Sequence, residues 1–403
     1  MSSLFFLIDD LFQLQITRDH PLALYPTGSS LPSGGPEYHA DSLNHQGDIQ
    51  NIPYSQYYHT QLAQITKALH DFAITTAIDR PSEDRLVLDS FIAKREEVCH
   101  TNDWLSLEEF WVQQSHRQGK YLLSLGPIEN YSDPLGGTKR LFTAVLLRRD
   151  DRLATDIKKI CTFVSRFASR AFPDCPQTPV SVWMGNIVDW AGEIKSVRAS
   201  GRSRPEQTDI INRVGSIKQI FLDQTVAKAR AEYLPLHSLL AQELGCLLDE
   251  GSVKDFFQNY FWIGLLCHEL GHTIGKYPGY PERMSERYQT IEENRAEIIA
   301  IKLWYELYDE NIGEKHLTGL FLWTGLLASC SMWRGYHHHG ERKAYRYHFP
   351  IFARLREAYQ IGDDRVCMEH LYAELMSIVH RGTKEQCEQF HASLEYKKLK
   401  NFL

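Results

Sequence analysis

One stretch constrains this chain more than any other. Phe261-Trp262-Ile263-Gly264-Leu265-Leu266-Cys267 is an apolar run that reads as a buried helix, and it leads directly into His268-Glu269-Leu270-Gly271-His272. A second helical segment follows and carries Glu292-Glu293-Asn294-Arg295-Ala296-Glu297. Histidines at i and i+4 on a helix lie on one face, a turn apart. Imidazoles so placed can hold one zinc ion, and a glutamate beside the first can act on a water bound to that ion. A carboxylate from the second helix completes three protein ligands and leaves a fourth position open, which is what a catalytic zinc needs.

The neighbouring residues support that arrangement. Gly264 and Gly271 allow close packing of the first helix, and Gly275 and Pro278 end it. The next helix starts near Ser285 and places Glu293 and Glu297 on one face, among Ile291, Ile298, Ile299 and Leu303. Acids buried in such company need a partner. An exposed face paired with Arg287, Arg295 or Lys302 is the competing reading, but the His-Glu-x-x-His spacing favours metal. Glu293 is assigned as third ligand and Glu297 as the group that orients a ligand histidine. Glu292 is the reserve ligand, since a single helical step is not resolved by sequence. Glu269 is the general base, taking a proton from water and passing it to the leaving group. The tract Tyr336-His337-His338-His339-Gly340 reads as solvated histidines on a loop. His348 is a better candidate for a group near the substrate, although taken alone it reads as a polar residue at a helix start.

The remaining composition excludes several classes. The 403 residues are 43% hydrophobic and 24% charged, an ordinary globular balance with room for two domains. The formal net charge of -7 and the lack of a basic block argue against nucleic acid and anionic membrane as partners. Arg198–Arg204 comes nearest to a basic block, and it reads as a solvated Ser/Gly-rich loop. The eight cysteines are scattered with no CxxC, as expected of reduced thiols in a cytoplasmic protein. Met1–Asp10 lacks the charge and length of a signal peptide, and no apolar run is long enough to span a bilayer.

Periodicity predicts helices over 4–15, from Tyr54 onward, over 83–97 and over 106–117, with residues 20–53 irregular. Strands are expected at 121–126, 141–147, 179–184 and 217–222, with a helix over 153–171 among them. From Val226 the chain reads as almost wholly helical, over 226–248, 252–275, 285–308, 313–333, 349–360, 364–379 and 384–396. The expected fold is α+β and mainly α, with a first domain over 1–225 and a helical zinc-binding domain over 226–403. Helices within 54–117 are candidates to pack on the latter.

These residues resemble the dipeptidyl-peptidase III family of zinc peptidases, in which a histidine pair is followed by a Glu-Glu-x-Arg-Ala-Glu helix. Gly126-Pro-Ile-Glu-Asn-Tyr-Ser-Asp-Pro resembles that family's G-x-I-E-x-Y-x-D-P segment, and Gly215-Ser-Ile-Lys-Gln-Ile-Phe-Leu-Asp-Gln-Thr-Val its G-x-K-x-V-x-L-x-N-V segment. Asp9-Asp10-Leu-Phe-Gln-Leu-Gln and Pro53-Tyr-Ser-Gln-Tyr-Tyr are most similar to the short form of the module, found at the C-terminus of plant Nudix hydrolase 3 and in small bacterial relatives. The resemblance implies two lobes around a cleft, one helical and zinc-binding, the other built on a small β-barrel. It implies Zn2+ on His268, His272 and Glu293, with Glu269 as base, and a short peptide as substrate. It also implies that His348 helps stabilise the transition state.

Three departures from the family pattern stand out, the first at the metal motif and the other two bearing on the substrate. The typical family spacing has one more residue between the histidines. The family's amine-anchoring Asn-x-Pro-Asn reads Ser203-Arg204-Pro205-Glu206 here. Its Glu-Ser-Tyr, with a catalytic tyrosine, reads Leu122-Leu123-Ser124, leaving Tyr121 or Tyr131 as substitutes. A small non-peptide or modified-peptide substrate, or a zinc-stabilised binding module without catalysis, are the alternatives. Oligomeric state is open.

Overall fold

A computed structural model describes residues 3–17, 38–43, 49–75, 82–117, 119–132, 138–196, 200–205, 208–235, 250–285, 288–309 and 361–393, with single positions between them. The chain is α+β and mainly helical. It divides into two compact units, residues 1–152 with 179–224, and residues 153–178 with 225–403.

The first unit begins with α1 (Ser3–Thr17), whose buried stripe is Leu4, Phe5, Ile8, Leu11 and Phe12. A hairpin of β1 (His39–Leu43) and β2 (Ile49–Pro53) follows. This corrects the expectation of irregular chain there: the Asn, Asp and Ser residues that suggested a loop are accommodated on a two-stranded ladder. Helices α2 (Tyr54–Tyr57), α3 (His59–Thr75), α4 (Glu83–Thr101) and α5 (Trp104–Ser115) come next. Ser82 caps α4 by accepting from the Arg85 amide at 3.2 Å, and Asn102 ends it in the left-handed region at φ 62°.

Strands β3 (Tyr121–Ser132), β4 (Thr138–Arg149), β5 (Val180–Gly192), β6 (Gly201–Arg204) and β7 (Ser216–Phe221) form one mixed sheet in the order β3-β4-β5-β7-β6. Only the β5–β7 pair is parallel. The sheet curls, so that side chains of edge strand β6 reach edge strand β3, and the small barrel expected from the sequence takes the form of a half-barrel. Its core joins Leu125, Phe142, Val145, Trp183, Ile217 and Phe221 of the sheet unit to Ile65, Leu69, Phe91 and Trp111 of the helices. The solvated loop expected at Arg198–Arg204 is corrected: Arg202 and Arg204 are 8% and 3% exposed, on a strand. Short helices α7 (Glu193–Ser196) and α8 (Thr208–Val214) flank β6.

The second unit takes α6 (Ala154–Ala171) and then resumes at Thr225, within α9 (Leu222–Lys228), which runs on into a π-helical turn over Ala229–Tyr233. Its further described α-helices are α10 (Glu250–Asn259), α11 (Phe261–Gly271), α12 (Tyr280–Met284), α13 (Tyr288–Asp309), α14 (Asp364–Arg381) and α15 (Lys384–Ser393). The single helix expected over 252–275 is broken at Tyr260, which has φ -126°, outside the helical region. The helices expected over 313–333 and 349–360 lie largely outside the described residues. The core gathers Phe163, Phe167, Leu266, Cys267, Ile298, Ile299, Leu303 and Leu375, all buried.

Candidate metal centre

The centre is built where the end of α11 meets the first turns of α13. α11 is apolar on most sides, with Phe261, Trp262, Ile263, Leu266 and Cys267 buried, so its polar end is held rigidly by packing. Gly271 permits the approach: a Cβ at this position would lie 2.6 Å from the Ala296 carbonyl oxygen of α13. Any side chain here would force the two helices apart. Gly264 plays a similar part further back, beneath the Trp323 ring. His272 follows the last residue of α11 but keeps helical angles, φ -63° and ψ -16°, so the one-turn relation to His268 survives.

The two imidazoles meet edge to face, ring centres 4.7 Å apart, with their Nε2 atoms 3.2 Å from each other. Glu293 reaches both, its Oε2 at 3.8 Å from His268 Nε2 and its Oε1 at 3.7 Å from His272 Nε2. One atom from each of His268, His272 and Glu293 can be chosen so that all lie within 4.8 Å. Behind each ring stands a further carboxylate. Glu297 Oε1 is 2.9 Å from His268 Nδ1, and Glu292 Oε1 is 3.2 Å from His272 Nδ1. A neutral imidazole whose Nδ1 faces a carboxylate carries its proton there and turns a bare Nε2 lone pair inward.

This donor set fits a divalent cation. The two Nε2 atoms face one another with a carboxylate beside them, and donors on a tetrahedral zinc stand roughly 3.3 Å apart. The electrostatic field agrees. Burial opposes a charge on His268, but Glu297, Glu293 and Glu269 outweigh it and push its pKa up to about 10. A pocket that attracts a proton this strongly also attracts a metal cation.

Glu292 is the member of the site that sequence reasoning assigned otherwise. Instead of serving as reserve ligand, it accepts from Arg295 Nε at 2.8 Å and Nη2 at 2.6 Å, and Lys276 Nζ lies 3.3 Å away. Burial alone would raise its pKa; Arg295 and Lys276 hold the carboxyl well below the usual range. Arg295, fully buried, also donates through Nη1 to the Ile274 carbonyl, just past the second histidine. The one available signal was Arg295 itself, three residues after Glu292 on the same helix. Glu269 is half-buried on α11 beside His268. His348 and the tract 337–339 lie outside the described residues. Tyr121 belongs to the first unit, where it lines a small cavity with Phe72, Leu88, Trp111 and Leu146. Tyr131 lies in β3, and its side chain is outside the described set.

No family model matches the chain. Among solved structures it is similar to dipeptidyl-peptidase III from Caldithrix abyssi, with a TM-score of 0.72 and 18% identity over 89% of this chain and 70% of that one. It is also similar to dipeptidyl-peptidase III from Corallococcus sp. strain EGB, with a TM-score of 0.63 and 18% identity over 91% of this chain and 71% of that one. A curated relative, Nudix hydrolase 3 of Arabidopsis thaliana, is 21% identical over 301 residues, 70% of this chain. The chain spans 36% of that protein's length. The fold is therefore the one seen in the dipeptidyl-peptidase III structures.

Proposed function

We propose that this chain is a zinc-dependent hydrolase that cleaves an amide bond in a short peptide, with His268, His272 and Glu293 holding the metal. The observation that carries the reading is the convergence of two imidazole Nε2 atoms and the Glu293 carboxylate, with Glu269 adjacent on the same helix. The peptidase-like fold supports it. When bound, zinc would supply a Lewis acid that acidifies a water and polarises the substrate carbonyl. Glu269 takes a proton from the attacking water as its oxygen bonds to the carbonyl carbon. It delivers that proton to the amine nitrogen as the carbon–nitrogen bond breaks. Glu297 and Glu292 fix the two rings, and His348 is proposed to stabilise the transition state.

The partner is a short peptide in solution, with neither nucleic acid nor membrane. No helix among the described residues is long and apolar enough to cross a bilayer. The free cysteines 99, 161, 175, 267, 367 and 387 support a reducing, cytoplasmic setting. A second reading, a small non-peptide or modified-peptide substrate, is favoured by one observation: Arg204, in the segment resembling the amine anchor, turns inward to Glu129.

Chromogenic dipeptide amides with added zinc test the first reading. Glu269→Gln should retain zinc by metal analysis and lose roughly 100-fold or more in hydrolysis. Bound zinc without hydrolysis of any peptide by the unsubstituted protein would leave the second reading standing.

A further inference from the structure

β6 and β3 are the two outer strands of the five-stranded sheet, yet they are fastened to each other. Arg202 Nη1 donates to Glu129 Oε1 at 2.7 Å, and its Nη2 donates to the Ser124 hydroxyl. Arg204 Nη2 donates to the other Glu129 oxygen. Arg202 Nε is anchored on Gln219 of β7 at 2.5 Å, and its guanidinium lies 5.7 Å from the centre of the Trp111 ring. One carboxylate thus serves two guanidinium groups inside the curl of the sheet. Burial opposes ionisation of Glu129, and Arg204 and Arg202 overcome it, so its pKa lies below the ordinary carboxylate value.

The backbone contribution is small by comparison. β6 has a ladder partner on one side alone among the described residues, over the short register Gly201↔Ile220 to Arg204↔Ile217. One further bond, from the Phe221 amide to the Ser200 carbonyl at 2.9 Å, extends it. Its other edge pairs with no strand among the described residues; side chains close the gap. Burial alternates along the strand, so Arg202 and Arg204 face the clasp while Ser203 faces the opposite side.

We propose that β6 is a strap of the half-barrel that opens and closes as one piece, with Glu129 as its fastening. Removing the carboxylate leaves two buried guanidinium groups without the anion they share, a penalty of the size needed to offset the few ladder bonds of β6. The strand then leaves the curl while β7, paired on its other side to β5, stays in place. Glu129 is on this account a positioning residue for 201–205.

Hydrogen exchange followed by mass spectrometry tests this on the full chain. In Glu129→Ala, amides of 201–204, together with the β7 amides that bond to β6, should exchange faster by on the order of 100-fold, and those of 141–147 and of 261–271 should not change. Glu129→Gln, which keeps the shape and an acceptor, should fall between. Unchanged exchange in 201–204 overturns the proposal. So does equal acceleration throughout residues 1–152 and 179–224, or failure of both variants to fold, because each means that the clasp belongs to the global core and fastens no separate strap.

Discussion

The two histidines of the metal centre are each held from behind by an anion, but the anions are not equivalent. Glu297 lies within the buried body of α13, while Glu292 is itself gripped by the fully buried Arg295. Replacing Glu292 with Gln leaves Arg295 without a counter-ion and frees the His272 ring to change tautomer. Zinc affinity, measured by competition with a chromogenic chelator, should fall roughly 10- to 100-fold, with far-UV circular dichroism unchanged. Much of this was readable one residue at a time. His268 and His272 follow from i,i+4 spacing, and Glu293 with Glu297 from a shared helix face. The role of Glu292 was not, because adjacent helix positions differ by a rotation that sequence does not resolve. Arg295 settles it by being inside, and burial is a property of the folded chain.

At the scale of elements, the long periodic helices were legible, and so was the six-residue β7, but the short strands β1, β2 and β6 were not. α1, α4, α6 and α14 repeat apolar residues at helical spacing, so their cores declare themselves. β6 consists of Gly, Arg, Ser and Arg, none a strand former, and its arginines are buried because Glu129, 73 residues from Arg202 and 75 from Arg204, receives them. No local pattern reports such a partner. The same cluster touches the start of α7. Glu193 is pushed up to about 7, first by burial and then by the charge of Glu129, with Arg204 and Arg202 opposing. Its folded pKa lies above its unfolded one, so the folded state binds the proton more tightly. Stability is favoured below the ordinary glutamate value of 4.5 and declines as pH rises toward about 7. Glu193→Gln should therefore melt at a higher temperature than the unsubstituted protein at pH values above that window, and the gap should close in acid. A thermal melt series across pH reads this directly; an equal gap at every pH would refute it.

The molecule as a whole is assembled out of order. Residues 153–178 separate two parts of the sheet-bearing unit but pack in the other unit, where α6 lies against α11 and α13. α6 buries Ile157, Ile160, Phe163, Val164 and Phe167, and each large apolar side chain buried is worth about 1.5–3 kcal/mol. A fragment of 226–403 alone should accordingly expose the surface of α11 and α13 that α6 covers, bind a hydrophobic dye and give no sharp melting transition. Supplying 153–178 through a linker should restore a cooperative melt. During synthesis the same layout imposes a wait. α6 leaves the ribosome before β5, β6 and β7 have been made, and well before the helices that cover it. For that interval its apolar face lacks the helices it packs on, and this is when a chaperone or a neighbouring nascent copy has its best opportunity.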